Sequence, residues 1–407
     1  MSTAWWREID ARAWRALAAA GAGWALDAMD VSLYSFALNA IGSEFGLTTA
    51  GRGAIASVTL VAAAIGGSLA GMLSDRIGRV RVLTLSILTY SVFTALSATA
   101  RSPEQLMFWR ALVGLGMGAE WSAGSVLVAE TWPSAHRAKA MGLMQSGWAI
   151  GVVLAAALAA GVLERWGWRP LFVLGAAPAL MLLWVRRGIP EPEVWSRTPR
   201  PPLRRVLAVL ARPPYAGRVL AASAVAAVLL FAYWGVFTWM PSFLALPVER
   251  GGAGLGVAKS LGWIVPMQAG AFLGYTTFGF FADRFGRRPT FIVFVLGAAA
   301  TVAAYGLSAR SEAILLAAAP LVGFFGHGYF SVFGAMLAEL FPSEARGTAQ
   351  GLCYNIGRAA SAAAPAAVGA LAGENGLGAA LALMSVMFVL GALLMLTLPE
   401  TRGKELT

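Results

Sequence analysis

Asp27, Asp30 and Tyr34 stand at i, i+3 and i+7 of an apolar run, so as helix they share one face. Two carboxylates close together in a medium of low dielectric resist joint ionisation and hold one proton between them. That is the chemistry of proton coupling; the competing reading is that one of the two neutralises Arg110, in the outer part of the fourth apolar run. Arg110 is then a structural partner, a group that tunes the proton site, or a ligand. Glu120, about three turns further along the same run, is either a second proton site or a packing group bonded to backbone.

Arg358 falls near the middle of the eleventh apolar run, and the runs of the C-terminal half carry no Asp or Glu at their centres. An anionic ligand would supply the missing charge through the paired hydrogen bonds that a guanidinium offers a carboxylate. The alternative is pairing across a cavity with Asp27 or Asp30. His327, mid-way along the tenth run, suits a proton path or a neutral hydrogen bond between helices. Gln145, Gln268, Tyr354 and Asn355, with Tyr34, are candidate neutral ligands, and Trp148, Tyr233 and Trp234 a candidate aromatic wall.

These groups need helices in a membrane to hold them. The chain has 407 residues, of which 58% are hydrophobic and only 13% charged. Apolar runs of about 20 residues, each enough to cross a hydrocarbon core, number about twelve. They lie near 16–40, 54–74, 82–100, 105–130, 138–162, 168–187, 217–245, 259–281, 290–308, 312–338, 347–371 and 377–398. The first lacks a cleavage signature and contains two aspartates, so it is expected to stay in the protein. Most of the 31 Lys and Arg fall in loops on the N-terminal side, which places both termini in the cytoplasm. The net charge of +11 follows from that sorting, and nucleic-acid binding is excluded as its cause. A single cysteine, Cys353, rules out an internal disulfide, and no residues stand at metal-ligand spacing. No cofactor is expected, and the partners are lipid, protons and a small, anionic molecule.

The sequence repeats. "GMLSDRIGR" at Gly71 returns as "GFFADRFGR" at Gly279, and "AETWPSAHR" at Ala129 as "AELFPSEAR" at Ala338, spacings of 208 and 209 residues. A Pro- and Arg-rich connection divides the runs six and six. The expected units are 1–187, a linker at 188–216, and 217–407, the two larger ones parallel repeats. Asp75, Arg76, Glu130 and Arg137 recur as Asp283, Arg284, Glu339 and Arg346, and are read as an ion-pair latch at cytoplasmic helix ends. Arg79, Arg81 and Arg288 are read as positive charge that merely faces the cytoplasm.

With these motifs, "RALVGLGMG" from Arg110 and "LPETRGKEL" near the end, the chain resembles the major facilitator superfamily along essentially its whole length. "LDAMD", "GAEWSAG", "LMQSGWAIG" and "CYNIGR" narrow the resemblance to metabolite:proton symporters, the carriers of sialic acid, lactate and aromatic acids. In the aromatic acid branch the first motif usually reads Asp-Gly-Phe-Asp, whereas Ala28 and Met29 stand between the aspartates here. The resemblance implies an all-α membrane protein of twelve helices in two six-helix bundles related by pseudo-symmetry, acting as a monomer in a bacterial inner membrane. It implies proton-coupled import of a small organic anion by alternating access. The rivals are a sugar or polyol symporter, a drug exporter, disfavoured by a fifth run without the exporters' proline, and a non-transporting sensor. An enzyme is excluded by the lack of a nucleophile elbow or metal cluster.

Overall fold

Apolar runs that leave water must satisfy every backbone group internally, and helices do so within one segment. The computed structural model describes residues 5–47, 49–176, 189–197, 202–245, 247–308 and 311–404, and among these every regular element is helical. In chain order they are α1 (Ala11–Glu44), α2 (Thr49–Ile77), α3 (Arg79–Ser97), α4 (Pro103–Thr131), α5 (Arg137–Trp166) and α6 (168–176). Two short helices follow, α7 (Glu193–Arg197) and α8 (Leu203–Leu210). The second half holds α9 (Tyr215–Ala245), α10 (Gly256–Phe285), α11 (Arg287–Leu307), α12 (Glu312–Gly328), α13 (Phe330–Leu340), α14 (Arg346–Ser361), α15 (Ala364–Asn375), α16 (Leu377–Leu383) and α17 (Ser385–Met395). Eight spans among the described residues are long and apolar enough to cross a membrane.

The ends are set by local chemistry. Asp10 accepts from the Ala13 N–H at 2.7 Å and Ser102 from that of Gln105 at 3.2 Å, ahead of Pro103 at the first helical position. At the two repeated loops the chain turns through Gly78 and Gly286, with φ of 113° and 106°, a region open to glycine.

Two features differ from the sequence reading. The tenth, eleventh and twelfth runs are each broken, at Tyr329, near Ala362 and at Met384, where the ladder tightens to i→i+3 bonds such as Ala362 N to Ala359 O. The polar connection contains α7 and α8, and the Trp195 indole donates to the Asp75 carbonyl at 3.1 Å. The end of the sixth run, to 187, lies outside the described residues.

The two halves meet backbone to backbone. A Cβ at Gly71 of α2 would stand 2.5 Å from the Gly347 carbonyl of α14, and one at Gly279 of α10 would stand 2.6 Å from the Lys139 Cα of α5. Only glycine allows these approaches.

Candidate functional site

At the end where these glycines meet, the repeated motifs interlock. Arg79 grips Glu130 with two hydrogen bonds of 3.0 Å and reaches Asp75 at 3.1 Å. Glu130 also takes Arg346 of the other half at 3.0 Å. The second copy mirrors this: Glu339 takes Arg287 of its own half at 3.3 Å and Arg137 of the other at 3.0 Å, while Asp283 pairs with Arg287. Each glutamate therefore ties a home arginine to a foreign one. Asp75 crosses as well, accepting from Thr348 N at 2.8 Å and Thr348 Oγ1 at 2.7 Å at the start of α14, where the helix dipole favours a carboxylate.

This geometry changes the expected membership. Arg76 and Arg284 are exposed and take no part in the ion pairs given for the described residues. Arg79, expected to be surface charge, is 1% exposed at the centre of the network, and Arg287 holds the matching place. The reason is the glycine turn: it reverses the chain after Ile77 and Phe285, so that the arginine four residues beyond each aspartate folds back on it. Arg81 is exposed, and Arg288 is half-buried against the Leu398 carbonyl at 3.4 Å.

Two acids that sequence reasoning missed sit under the same turns. Glu191 accepts from the backbone N–H groups of Arg79, Val80 and Arg81 at 2.7, 3.1 and 3.2 Å. Glu400 does the same for Arg287 and Arg288 at 2.9 and 3.0 Å. Burial raises the Glu400 carboxyl, yet the N–H groups of Arg287, Arg288, Arg402 and Thr401 outweigh it and hold the group below its usual range. The signal was available: Pro190-Glu191 and Pro399-Glu400 repeat at 209 residues, the spacing of the other motifs.

Deeper in the bundle the structure separates the two aspartates. Asp30 is bound to Arg110 at 2.9 Å and to the Thr94 hydroxyl at 2.6 Å, and the guanidinium lies 5.1 Å from the Tyr34 ring and 5.9 Å from that of Phe172. Tyr34 thus belongs to a closed cluster within the first half rather than to a surface facing the second. Asp27 is 2% exposed, and its Oδ1 has no hydrogen-bond partner. The charges that act on it are Arg358, Glu120, Asp30 and Arg110. Glu120 is fully buried, with the Ser86 hydroxyl at 3.3 Å.

A ladder of contacts between α4 and α14 leads from the ion pairs to Arg358. It passes Ser125 to Gln350 at 3.2 Å and Ser122 to Asn355 at 3.2 Å, and ends at Trp121 stacked on Tyr354 with centroids 3.7 Å apart. Arg358 is one turn further, its guanidinium 5.1 Å from the centre of the Tyr354 ring. It is 5% exposed and appears in no ion pair given for the described residues. Among the charges that act on Asp27, that of Arg358 is the strongest.

Trp148 of α5 lies against Trp24 and against Trp234 of α9, with centroids 4.8 and 6.3 Å away. His327 Nδ1 donates to the Gly323 carbonyl at 3.2 Å, within a box of Tyr233, Phe237 and Tyr275. The Oε1 atoms of Gln145 and Gln268, both side chains buried, have no hydrogen-bond partner. Buried polar atoms left unmatched, as these amide oxygens and Asp27 Oδ1 are, are what a polar ligand would satisfy.

Comparison with known proteins agrees with this architecture. The sequence model of the Major Facilitator Superfamily matches residues 21–275 and 252–407. A protein of Cupriavidus pinatubonensis described as a probable 4-methylmuconolactone transporter is 36% identical over 98% of this chain and 94% of its own length. The cis,cis-muconate transport protein of Acinetobacter baylyi is 32% identical over 92% of each. Among solved structures the proton:xylose symporter XylE superposes with a TM-score of 0.80 at 20% identity, over 97% of both chains, which speaks to the fold.

Proposed function

The chain belongs to the Major Facilitator Superfamily, and we propose that within it this multi-pass membrane protein is a proton-coupled importer of a small organic anion. Its relatives are transporters and not enzymes. The observation that carries the reading is Arg358, a buried guanidinium without an ion pair among the described residues, facing an aspartate with an unmatched oxygen. A buried charge left that way is costly unless something meets it in the working cycle.

In this reading a carboxylate docks on Arg358, and Tyr354 fixes the guanidinium plane. Its arrival cancels the field that Arg358 exerts on Asp27, which favours a proton on that aspartate. Anion and proton then travel together. Asp30, already neutralised by Arg110, keeps the outer half of α1 in place and is the second group that a proton could release. The related carriers, one named for cis,cis-muconate and one for 4-methylmuconolactone, support an anionic ligand.

The interlocked ion pairs act as a latch on the cytoplasmic side of a bacterial inner membrane, closed in this conformation. The two bundles rock about the central site, and the latch separates when hydration can replace its pairs. Uptake into proteoliposomes decides the proposal. A monocarboxylate entering with one proton moves no net charge, so an imposed pH gradient should drive accumulation while a membrane potential alone should not. Strong potential-driven uptake would point to a neutral substrate, and no accumulation under either gradient would end the proton-coupled reading.

A further inference from the structure

Beside the latch lies a cluster that the transport cycle does not use. Trp5, ahead of α1, packs on Trp14 and His136 with centroids 6.3 and 5.7 Å away, and on Phe280 of α10 at 6.0 Å. Trp14 in turn meets Trp132, whose indole donates to the Ala13 carbonyl at 3.1 Å, so the segment is anchored to the first half. Its contact with Phe280 reaches the second. Between them sits Lys139 of α5, its ammonium 5.6 Å from the Trp5 ring and 5.5 Å from that of Phe280, and 3.2 Å from Asp283 of α10. When α5 and α10 part, every one of these contacts to α10 must break.

His136 controls this bridge by its hydrogen bonds. Lys139 Nζ lies 3.1 Å from Nδ1, and an ammonium can only donate, so Nδ1 is the acceptor. The ring proton is then on Nε2, which donates to Glu8 at 3.2 Å. The arrangement requires a neutral imidazole. We propose that the segment from Trp5 to Asp10 clamps the two halves together at the latch end, and that protonation of His136 by acid on that side loosens the clamp. This rests on the reading that the latch end opens in alternating access.

The sign follows from the groups around the ring. A protonated His136 gains attraction to Glu8 from the N-terminal segment and repulsion from Lys139 in the first turn of α5, the helix it precedes. Asp283 reaches it from α10 only through Lys139, and Arg137, next in sequence, is engaged with Glu339. The Glu8 side chain is 54% exposed and screened by water and salt, whereas those of His136 and Lys139 are 14% and 13% exposed. The repulsion is the less screened term and wins. The clamp therefore holds while the imidazole is neutral and weakens once acid on that side protonates it. An importer that delivers protons to this side would thereby respond to their accumulation.

Spin labels at Arg76→Cys and Arg284→Cys, exposed positions in opposite halves, with Cys353→Ser, report the opening as an inter-label distance by electron resonance in nanodiscs without substrate. Between pH 8 and pH 6 the ratio of long to short distances should rise about five-fold, at the low end of usual couplings. His136→Gln should make the ratio independent of pH over that range, and Trp5→Ala should raise it already at pH 8. A ratio that is flat in the parent, that falls on acidification, or that keeps its pH dependence in His136→Gln overturns the proposal. Asp75→Asn serves as control for the underlying reading: if it widens the distance, the end can open and only the His136 claim is being judged, whereas no opening in any variant removes the alternating-access reading and this inference with it.

Discussion

Asp27 and Asp30 share a helix face, yet their environments assign them different work. Asp30 is matched by Arg110 and Thr94, so Asp30→Asn leaves a buried guanidinium without its partner, at a cost of about 3–5 kcal/mol. Its unfolding temperature in detergent should fall well below that of the parent. Asp27→Asn removes a carboxylate whose Oδ1 is already unmatched, so stability should change little while uphill uptake driven by a pH gradient is lost and exchange survives. Equal destabilisation by both substitutions would mean that the aspartates are interchangeable. At Arg358 the replacement of a planar fork by a compact ammonium in Arg358→Lys should weaken anion binding about 10- to 100-fold, measured by calorimetry on purified protein. Unaltered affinity would take Arg358 out of the site.

Elements meet the latch through their ends. The turn at Gly78 aims the first N–H groups of α3 at Glu191, and that at Gly286 aims those of α11 at Glu400, and each capping acid lies just beyond the last apolar run of its own half of the sequence. Glu400→Gln keeps the acceptor shape and removes the charge that the helix dipole favours. Accessibility labelling of latch-end positions should rise in that variant, as it should in Arg79→Ala, whereas Arg76→Ala should be silent because Arg76 is exposed and outside the network. Labelling that rises equally with Arg76→Ala would restore the first arginine of the motif to the latch. The depressed Glu400 carboxyl contributes its stabilisation wherever it is ionised, so the cap is complete above the ordinary carboxylate range and is lost as pH falls below it.

At the scale of the molecule, closure depends on glycines where helices of opposite halves touch. In Gly71→Val the new side chain would strike the Gly347 carbonyl, a backbone group that cannot swing aside, so the latch end should stay open and transport should stop while the protein still inserts and folds. Unimpaired uptake would mean that α2 and α14 need not approach so closely in any state. Much of this molecule could be read without coordinates. Long apolar runs and the two motif pairs follow from composition and spacing, because a membrane admits few ways to satisfy a backbone and a repeat gives two like halves. The acids and arginines of the site were visible for the same reason, since charges among so many apolar residues stand out. Which arginine serves the latch, which aspartate meets Arg110, and how Trp5, Glu191 and Glu400 join their partners were decided only in three dimensions. Those contacts join residues tens to hundreds of positions apart, and a hydrogen bond or an ion pair is fixed by a few ångströms of distance, which spacing along a chain does not carry once the chain has turned.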